Sequence, residues 1–282
     1  MKIITEKKEM QQMAKQLQSK GKTIGFVPTM GYLHEGHLTL ARKAKKENDI
    51  VVMSIFVNPL QFGPDEDYEA YPRDQKRDER LAETTGVDLL FIPNVSDMYD
   101  AELSTKMSVV KRNHALCGND RPGHFDGVVT VLAKLFHIVM PDKAYFGLKD
   151  AQQFAVVAGM VADYDFPVQL IPVETVRDAN GLAVSSRNVY LSAREKEQAP
   201  SIYKSLLLAK HKIEQGATDV EEIKNAVIDL LKSRTDALID YVDILSYPEL
   251  QPLEQIHGRI IIAIAVKFSK ARLIDNIIFD VS

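Results

Sequence analysis

The feature that most constrains this chain is the alternation of short, wholly apolar runs with longer amphipathic ones. Residues 23–27, 50–57, 88–92, 143–146 and 168–171 read as strands, because β-branched, aliphatic and aromatic residues dominate them. Between them, 5–20, 35–47, 71–85, 125–139 and 151–163 follow helical patterns. Strands that are apolar throughout need cover on both faces, which a parallel sheet between two helix layers provides. Right-handed crossovers then predict an open, doubly wound α/β domain. Ligands of such sheets sit beyond the carboxyl ends of the strands.

After about residue 190 the pattern changes. Helical stretches at 193–215 and 219–233 precede strand-like runs at 240–245, 259–267 and 272–280. Helices followed by adjacent strands predict a smaller α+β domain. The expected division is 1–176 and 177–282. The 282 residues are 45% hydrophobic and 26% charged, which suffices for two packed cores and excludes a disordered chain.

Thirty-five Lys and Arg stand against 39 Asp and Glu, for a net charge of −4, with no basic block. That balance argues against a nucleic-acid partner. The single cysteine, Cys117, allows no internal disulfide and fits a reducing compartment. The first residues are charged where a secretion signal would be apolar. The longest apolar run, 260–266, is far shorter than the roughly 20 residues of a membrane span. A cytoplasmic protein without a membrane partner is expected.

Chemistry concentrates at the strand–loop–helix junctions. The first strand runs into Pro28-Thr29-Met30-Gly31-Tyr32-Leu33-His34-Glu35-Gly36-His37. A helix start offers free N–H groups and a positive dipole end, a natural seat for phosphate. His34 and His37, three apart, share one face of the first turn. Gly36 between them leaves room for a ligand to approach closely. The helix end disfavours imidazolium, but a neutral imidazole still donates a hydrogen bond to a phosphate oxygen. No Gly-x-x-x-x-Gly-Lys-Ser/Thr or Gly-x-Gly-x-x-Gly motif is present.

A second loop, Val184-Ser185-Ser186-Arg187, follows the tight-turn signal Asn180-Gly181. Its two hydroxyls and planar guanidinium suit a triphosphate and departing pyrophosphate. Val57-Asn58-Pro59-Leu60-Gln61-Phe62-Gly63 puts the Gln61 amide at the same sheet edge. Tyr145-Phe146-Gly147-Leu148-Lys149-Asp150-Ala151-Gln152-Gln153 adds a cation at Lys149. Asp150 and Gln153 also have the spacing of a capping box.

The His-x-Gly-His arrangement resembles the adenylyl-transfer superfamily that includes nucleotidylyltransferases and class I aminoacyl-tRNA synthetases. With the segments above and Arg121-Pro122-Gly123-His124-Phe125-Asp126-Gly127, the chain over 25–190 resembles the pantothenate synthetase (pantoate–β-alanine ligase) family. That resemblance implies a Rossmann-like first domain and a C-terminal lid. It implies ATP-dependent condensation of pantoate with β-alanine through a pantoyl adenylate, with Mg²⁺ and a homodimer. Carried over by residue, Met30, Gly31, Tyr32, Leu33, His34, Glu35, Gly36, His37, Gly147, Leu148, Lys149, Asp150, Val176, Val184, Ser185, Ser186 and Arg187 would bind ATP. His37 would be the catalytic proton donor. Gln61 and Gln153 would hold pantoate, with Gln61 also near β-alanine.

The chemistry agrees with this. A carboxylate is already nucleophilic at neutral pH, so the step needs alignment and charge dispersal rather than a Ser or Cys nucleophile. Two other classes stay open: a nucleotidylyltransferase that stops at a nucleotide-linked product, and a non-catalytic nucleotide-binding regulator. Asp65-Glu66-Asp67 reads as a solvated loop. Asp74 and Asp78, at i, i+4 on a polar helix, could reach a metal, but the ligands of Mg²⁺ are unassigned. Cys117, His114, His137, His211 and His257 read as structural.

Overall fold

The computed structural model describes residues 1–64, 66–99 and 103–281. Packing divides the chain into two compact units. One is Met1–Val110, Arg121–Leu148 and Val156–Glu174, and the other is Lys111–Asp120, Lys149–Ala155 and Thr175–Ser282.

The first unit holds six strands: β1 Lys2–Ile4, β2 Ile24–Thr29, β3 Ile50–Ile55, β4 Leu89–Phe91, β5 Lys143–Gly147 and β6 Gln169–Val173. Their order is β1-β4-β3-β2-β5-β6, with every pairing parallel. β2 and β3 pair from Ile24 opposite Ile50 to Thr29 opposite Ile55, so both release their loops at the same level. Helices Lys7–Ser19, Glu35–Glu47, Gln75–Thr84 and His124–Val139 belong to this unit, as does most of Ala151–Asp163.

The reason is visible in the burial pattern. Val27, Val51, Met53 and Leu90 on the strands are fully or almost fully buried against Leu38, Ala41 and Ala44 of helix Glu35–Glu47 and Ala82 of helix Gln75–Thr84. Tyr145 is also buried, and its hydroxyl donates to Glu47 at 2.9 Å and accepts from Asn48 at 2.7 Å. Burial, the larger influence, pushes the Tyr145 phenol up to about 12. β1 is not expected from the sequence, in which the first strand pattern begins at residue 23.

The second unit has three antiparallel strands, β7 Leu238–Ser246, β8 Gly258–Lys267 and β9 Arg272–Val281, in that order. Helices Ser201–Glu214 and Val220–Arg234 cover one sheet face through Ile202, Leu206, Ile223, Val227 and Leu231. The expected single helix over 193–215 is interrupted: Ala193–Gln198 ends before Pro200 and Ser201–Glu214 begins after it. A proline inside a helix removes one backbone donor and crowds the preceding turn. Among the described residues, no helix is long and apolar enough to cross a membrane.

Candidate active site

The loop after β2 is shaped from beneath by a buried carboxylate. Asp78, 1% exposed on helix Gln75–Thr84, accepts the backbone N–H groups of Tyr32 and Leu33, each at 2.7 Å. These bonds hold Tyr32 at φ 49°, a region that non-glycine residues seldom occupy. Thr29 Oγ1 accepts the Gly31 N–H at 3.1 Å and donates to the Ser54 carbonyl at 2.7 Å. Burial pushes the Asp78 carboxyl above its ordinary value, against the opposing pull of its two N–H donors. Asp74 caps the same helix by accepting from Arg77 N–H at 3.1 Å. Both carboxylates are thus engaged by backbone N–H groups of the loop and the helix start.

His34 stands at the N-cap of helix Glu35–Glu47 in extended conformation, and its side chain makes no capping bond. Instead its ring stacks on that of His37, with centroids 3.9 Å apart and planes 23° apart. A Cβ on Gly36 would lie 2.9 Å from the His34 ring. Glycine at this position lets the His34 ring lie close against the helix start, where a side chain would crowd it. Glu35 accepts from Arg42 at 2.5 Å, and that bond holds its carboxyl below the ordinary value.

Gln61 closes the short helical turn Pro59–Gln61 after β3. Asn58, 1% exposed, donates to Gln61 Oε1 at 3.2 Å and to the Gly127 carbonyl at 3.1 Å, and accepts from the Tyr99 hydroxyl at 2.8 Å. The Gln61 amide nitrogen then lies 3.3 Å from Met30 Sδ, which joins the loops after β2 and β3. A Cβ on Gly127 would stand 2.2 Å from the Leu60 carbonyl oxygen, so only glycine lets helix His124–Val139 approach this turn.

Arg121 binds Glu66 at 2.7 and 2.5 Å and the Gln61 carbonyl at 3.3 Å, and His124 Nδ1 lies 2.7 Å from the same carbonyl. Glu66 is therefore part of this network and not of a solvated loop. Burial raises its carboxyl, and the Arg121 bonds more than offset that, leaving it below the ordinary value. Asp65, read together with it, lies outside the described residues.

Gly147 ends β5 and Leu148 follows, so the loops after β2, β3 and β5 share one sheet edge. The strand order runs outward from β2 to β3 on one side and from β5 to β6 on the other. Such a reversal is where doubly wound sheets bind ligands.

The remaining residues of the expected set lie in the second unit. Lys149 Nζ is 3.6 Å from the Asp150 carboxylate. Lys149, Ser185, Asn188 and Asp275 line one pocket. The turn before Val184 is tight: Asp178 N–H donates to the Leu182 carbonyl at 2.8 Å, and Asn180 Oδ1 accepts the Leu182 N–H at 3.0 Å. Val184 N–H donates to the Val176 carbonyl at 2.9 Å, which sets both residues at the foot of that turn. Ser185 Oγ accepts the Arg187 N–H at 3.3 Å and starts the short helix Ser186–Tyr190, in which Ser186 is buried.

Gln153 is partly buried on helix Ala151–Asp163, and among the described residues no capping bond joins it to Asp150. Its neighbour Gln152 donates to the Arg112 and Ala115 carbonyls at 2.8 and 2.7 Å. Cys117 is buried, 3.3 Å from the Tyr241 hydroxyl. His137 Nδ1 lies 2.7 Å from the Ala133 carbonyl on its own helix.

The family model for pantoate–beta-alanine ligase matches residues 2–278. The chain belongs to the pantoate–β-alanine ligase family. This family member is 62% identical over 281 residues to a pantothenate synthetase from Bacillus cytotoxicus, with 100% of both chains covered. A pantothenate synthetase from a Geobacillus species is 57% identical over 279 residues, covering 99% of each. Among solved structures, pantothenate synthetase from Thermus thermophilus aligns with a TM-score of 0.92 at 44% identity, over 98% of this chain and 99% of that one. Pantoate–β-alanine ligase from Francisella tularensis, complexed with beta-gamma ATP and β-alanine, aligns with a TM-score of 0.81 at 34% identity, over 98% and 97%. In this ligase family member the sequence motifs thus belong to a full-length match.

Proposed function

We propose that this chain condenses pantoate with β-alanine to pantothenate at the expense of ATP. The observation that carries the reading is the stacked His34–His37 pair at a helix start, with the Gln61 amide against Met30 in the adjoining loop. In the first half-reaction a pantoate carboxylate oxygen attacks the α-phosphorus of ATP. The bond from that phosphorus to the β-phosphate bridging oxygen breaks, and pyrophosphate leaves. In the second, the free amine of β-alanine attacks the acyl carbon, loses a proton, and the carbon–oxygen bond to AMP breaks.

The roles follow from the side chains. His37 donates a proton or hydrogen bond to phosphate oxygens as charge develops on them, with His34 beside it. Tyr32 and Leu33 shape the approach to the pair, and the positive dipole end of helix Glu35–Glu47 favours the anion. Lys149 and Arg187 neutralise phosphate charge, and Ser185 and Ser186 offer hydroxyls. Gln61 and Gln153 suit the hydroxyls of pantoate, since an amide offers donor and acceptor without charge. Mg²⁺ belongs to this reading as an ion carried largely by the triphosphate, where it supplies charge neutralisation. Asp150, half exposed beside Lys149, has the oxygen-donor chemistry to take one of its positions. The family resemblance further suggests a homodimer, and the lone thiol suits the cytoplasm.

The test is incubation with ATP, Mg²⁺, pantoate and β-alanine. AMP, pyrophosphate and an amide in equal amounts support the reading. A stable nucleotide-linked product would point to a nucleotidylyltransferase, and binding without turnover to a regulator. Protection of residues 177–190 from hydrogen exchange by ATP plus pantoate would support nucleotide contact there.

A further inference from the structure

β9 is an edge strand of its sheet, yet it carries two consecutive buried polar side chains, Asp275 at 4% and Asn276 at 7% exposure. Successive residues of a strand face opposite sides of the sheet. Asp275 lies opposite Ile264, which packs in the apolar cluster containing Leu182. Asn276 lies opposite Ala263, which packs in the cluster containing Ala151 and Ala155. One step along the strand thus reaches two different segments of the second unit.

On one side Asp275 takes the Arg177 guanidinium in two bonds of 2.6 and 2.9 Å. Arg177 also donates to the Gly181 carbonyl at 3.2 Å, and its guanidinium carbon lies 3.6 Å from the centre of the Tyr203 ring. Arg177 bridges Ala183, so this pair fixes the turn from which Val184–Arg187 emerge. On the other side the Asn276 amide donates to the Lys149 carbonyl at 2.9 Å. The two arms are themselves linked, since the Asn276 N–H donates to Asp275 Oδ1 at 2.8 Å.

We propose that the Asp275–Asn276 step is a positioning device for adenylation, setting Lys149 against the Ser185–Arg187 loop. It rests on the nucleotide reading of Lys149 and Arg187. Neither residue is assigned a contact with substrate; each acts through a backbone or guanidinium that it holds. Cations aimed at developing phosphate charge are effective only when fixed beforehand, and a displacement of about 1 Å can cost on the order of 100-fold in rate.

The test is single-turnover adenylate formation from ATP and pantoate in the full-length protein, with amide formation from preformed adenylate measured apart. Asn276→Ala and the isosteric Asn276→Asp, which also lacks the donor, should slow adenylation roughly 10- to 100-fold and amide formation less than about twofold. In a Lys149→Ala background the same changes should cost less than about twofold more, because residues that act through one another are not additive. Asp275→Asn should behave likewise against Arg187→Ala. Melting temperatures identify any variant that fails to fold, and Asn276→Asp is read if Asn276→Ala does. Adenylation within twofold of wild type, equal slowing of both half-reactions, or full additivity with Lys149→Ala would overturn the proposal. If Lys149→Ala itself leaves adenylation unchanged, the nucleotide reading of Lys149 fails, and the inference with it.

Discussion

The Asp78 carboxylate accepts the Leu33 N–H at 2.7 Å, across 45 residues of sequence, and so shapes the approach to the histidine pair. Asp78→Ala strands two backbone donors beneath the loop after β2. At about 1–3 kcal/mol for each unsatisfied buried donor, the expected loss is about 2–6 kcal/mol. At about 2–4 °C per kcal/mol, thermal unfolding should fall by at least about 4 °C. A melting temperature within about 1 °C of wild type would contradict the anchoring role.

His37→Ala should separate catalysis from folding. The ring is only partly buried, so the melting temperature should hardly move. Loss of one donor to a developing phosphate charge typically costs about 100- to 1,000-fold in turnover, or about 3–4 kcal/mol. Steady-state kinetics on the variant check this, and a near wild-type rate would remove His37 from the mechanism.

Lys149→Ala should weigh on the first half-reaction. Pyrophosphate departure redistributes more charge than the later release of AMP with its single phosphate. Single-turnover measurements should therefore show adenylate formation slowed much more than attack by β-alanine on preformed adenylate. Equal slowing of both would assign Lys149 a general structural role.

Glu195 gives a pH-dependent expectation. Its carboxylate accepts the N–H groups of Ser192 and Ser269, each at 2.8 Å, and these bonds hold it down at about 2. A carboxylate with a depressed folded-state value stabilises the fold above its unfolded value near 4.3 and loses that contribution as pH falls toward the folded one. Glu195→Gln should thus melt below wild type at neutral pH, with the gap closing between about pH 4 and pH 2. A gap independent of pH would show that the charge is not involved.

Most of the first sheet is legible in the chain, because parallel strands buried on both faces are apolar along their whole length. Helix Glu35–Glu47 is legible to its ends, since amphipathic spacing stops where Asn48 leaves helical geometry. β1 is not, because three residues with one buried side chain, Ile4, carry too little pattern, and the strand exists through pairing of Lys2 with Leu89. The His-x-Gly-His and Ser-Ser-Arg segments stand out because each is contiguous. Asp78, Asn58, Asp275 and Asn276 do not. Asn276 meets Lys149 across 127 positions, and no local spacing encodes such a meeting. The i, i+4 spacing of Asp74 and Asp78 is commonplace on a polar helix and does not reveal that one caps the helix and the other anchors a loop.

In the proposed adenylate route the carboxylate of pantoate itself attacks the α-phosphorus. The most direct measurement uses pantoate with both carboxylate oxygens replaced by heavy oxygen, followed by mass spectrometry of every product. One heavy oxygen should appear in each AMP, one should remain in the amide carbonyl of pantothenate, and pyrophosphate should carry none. AMP without the label, or formation of ADP and phosphate in its place, would contradict the adenylate route.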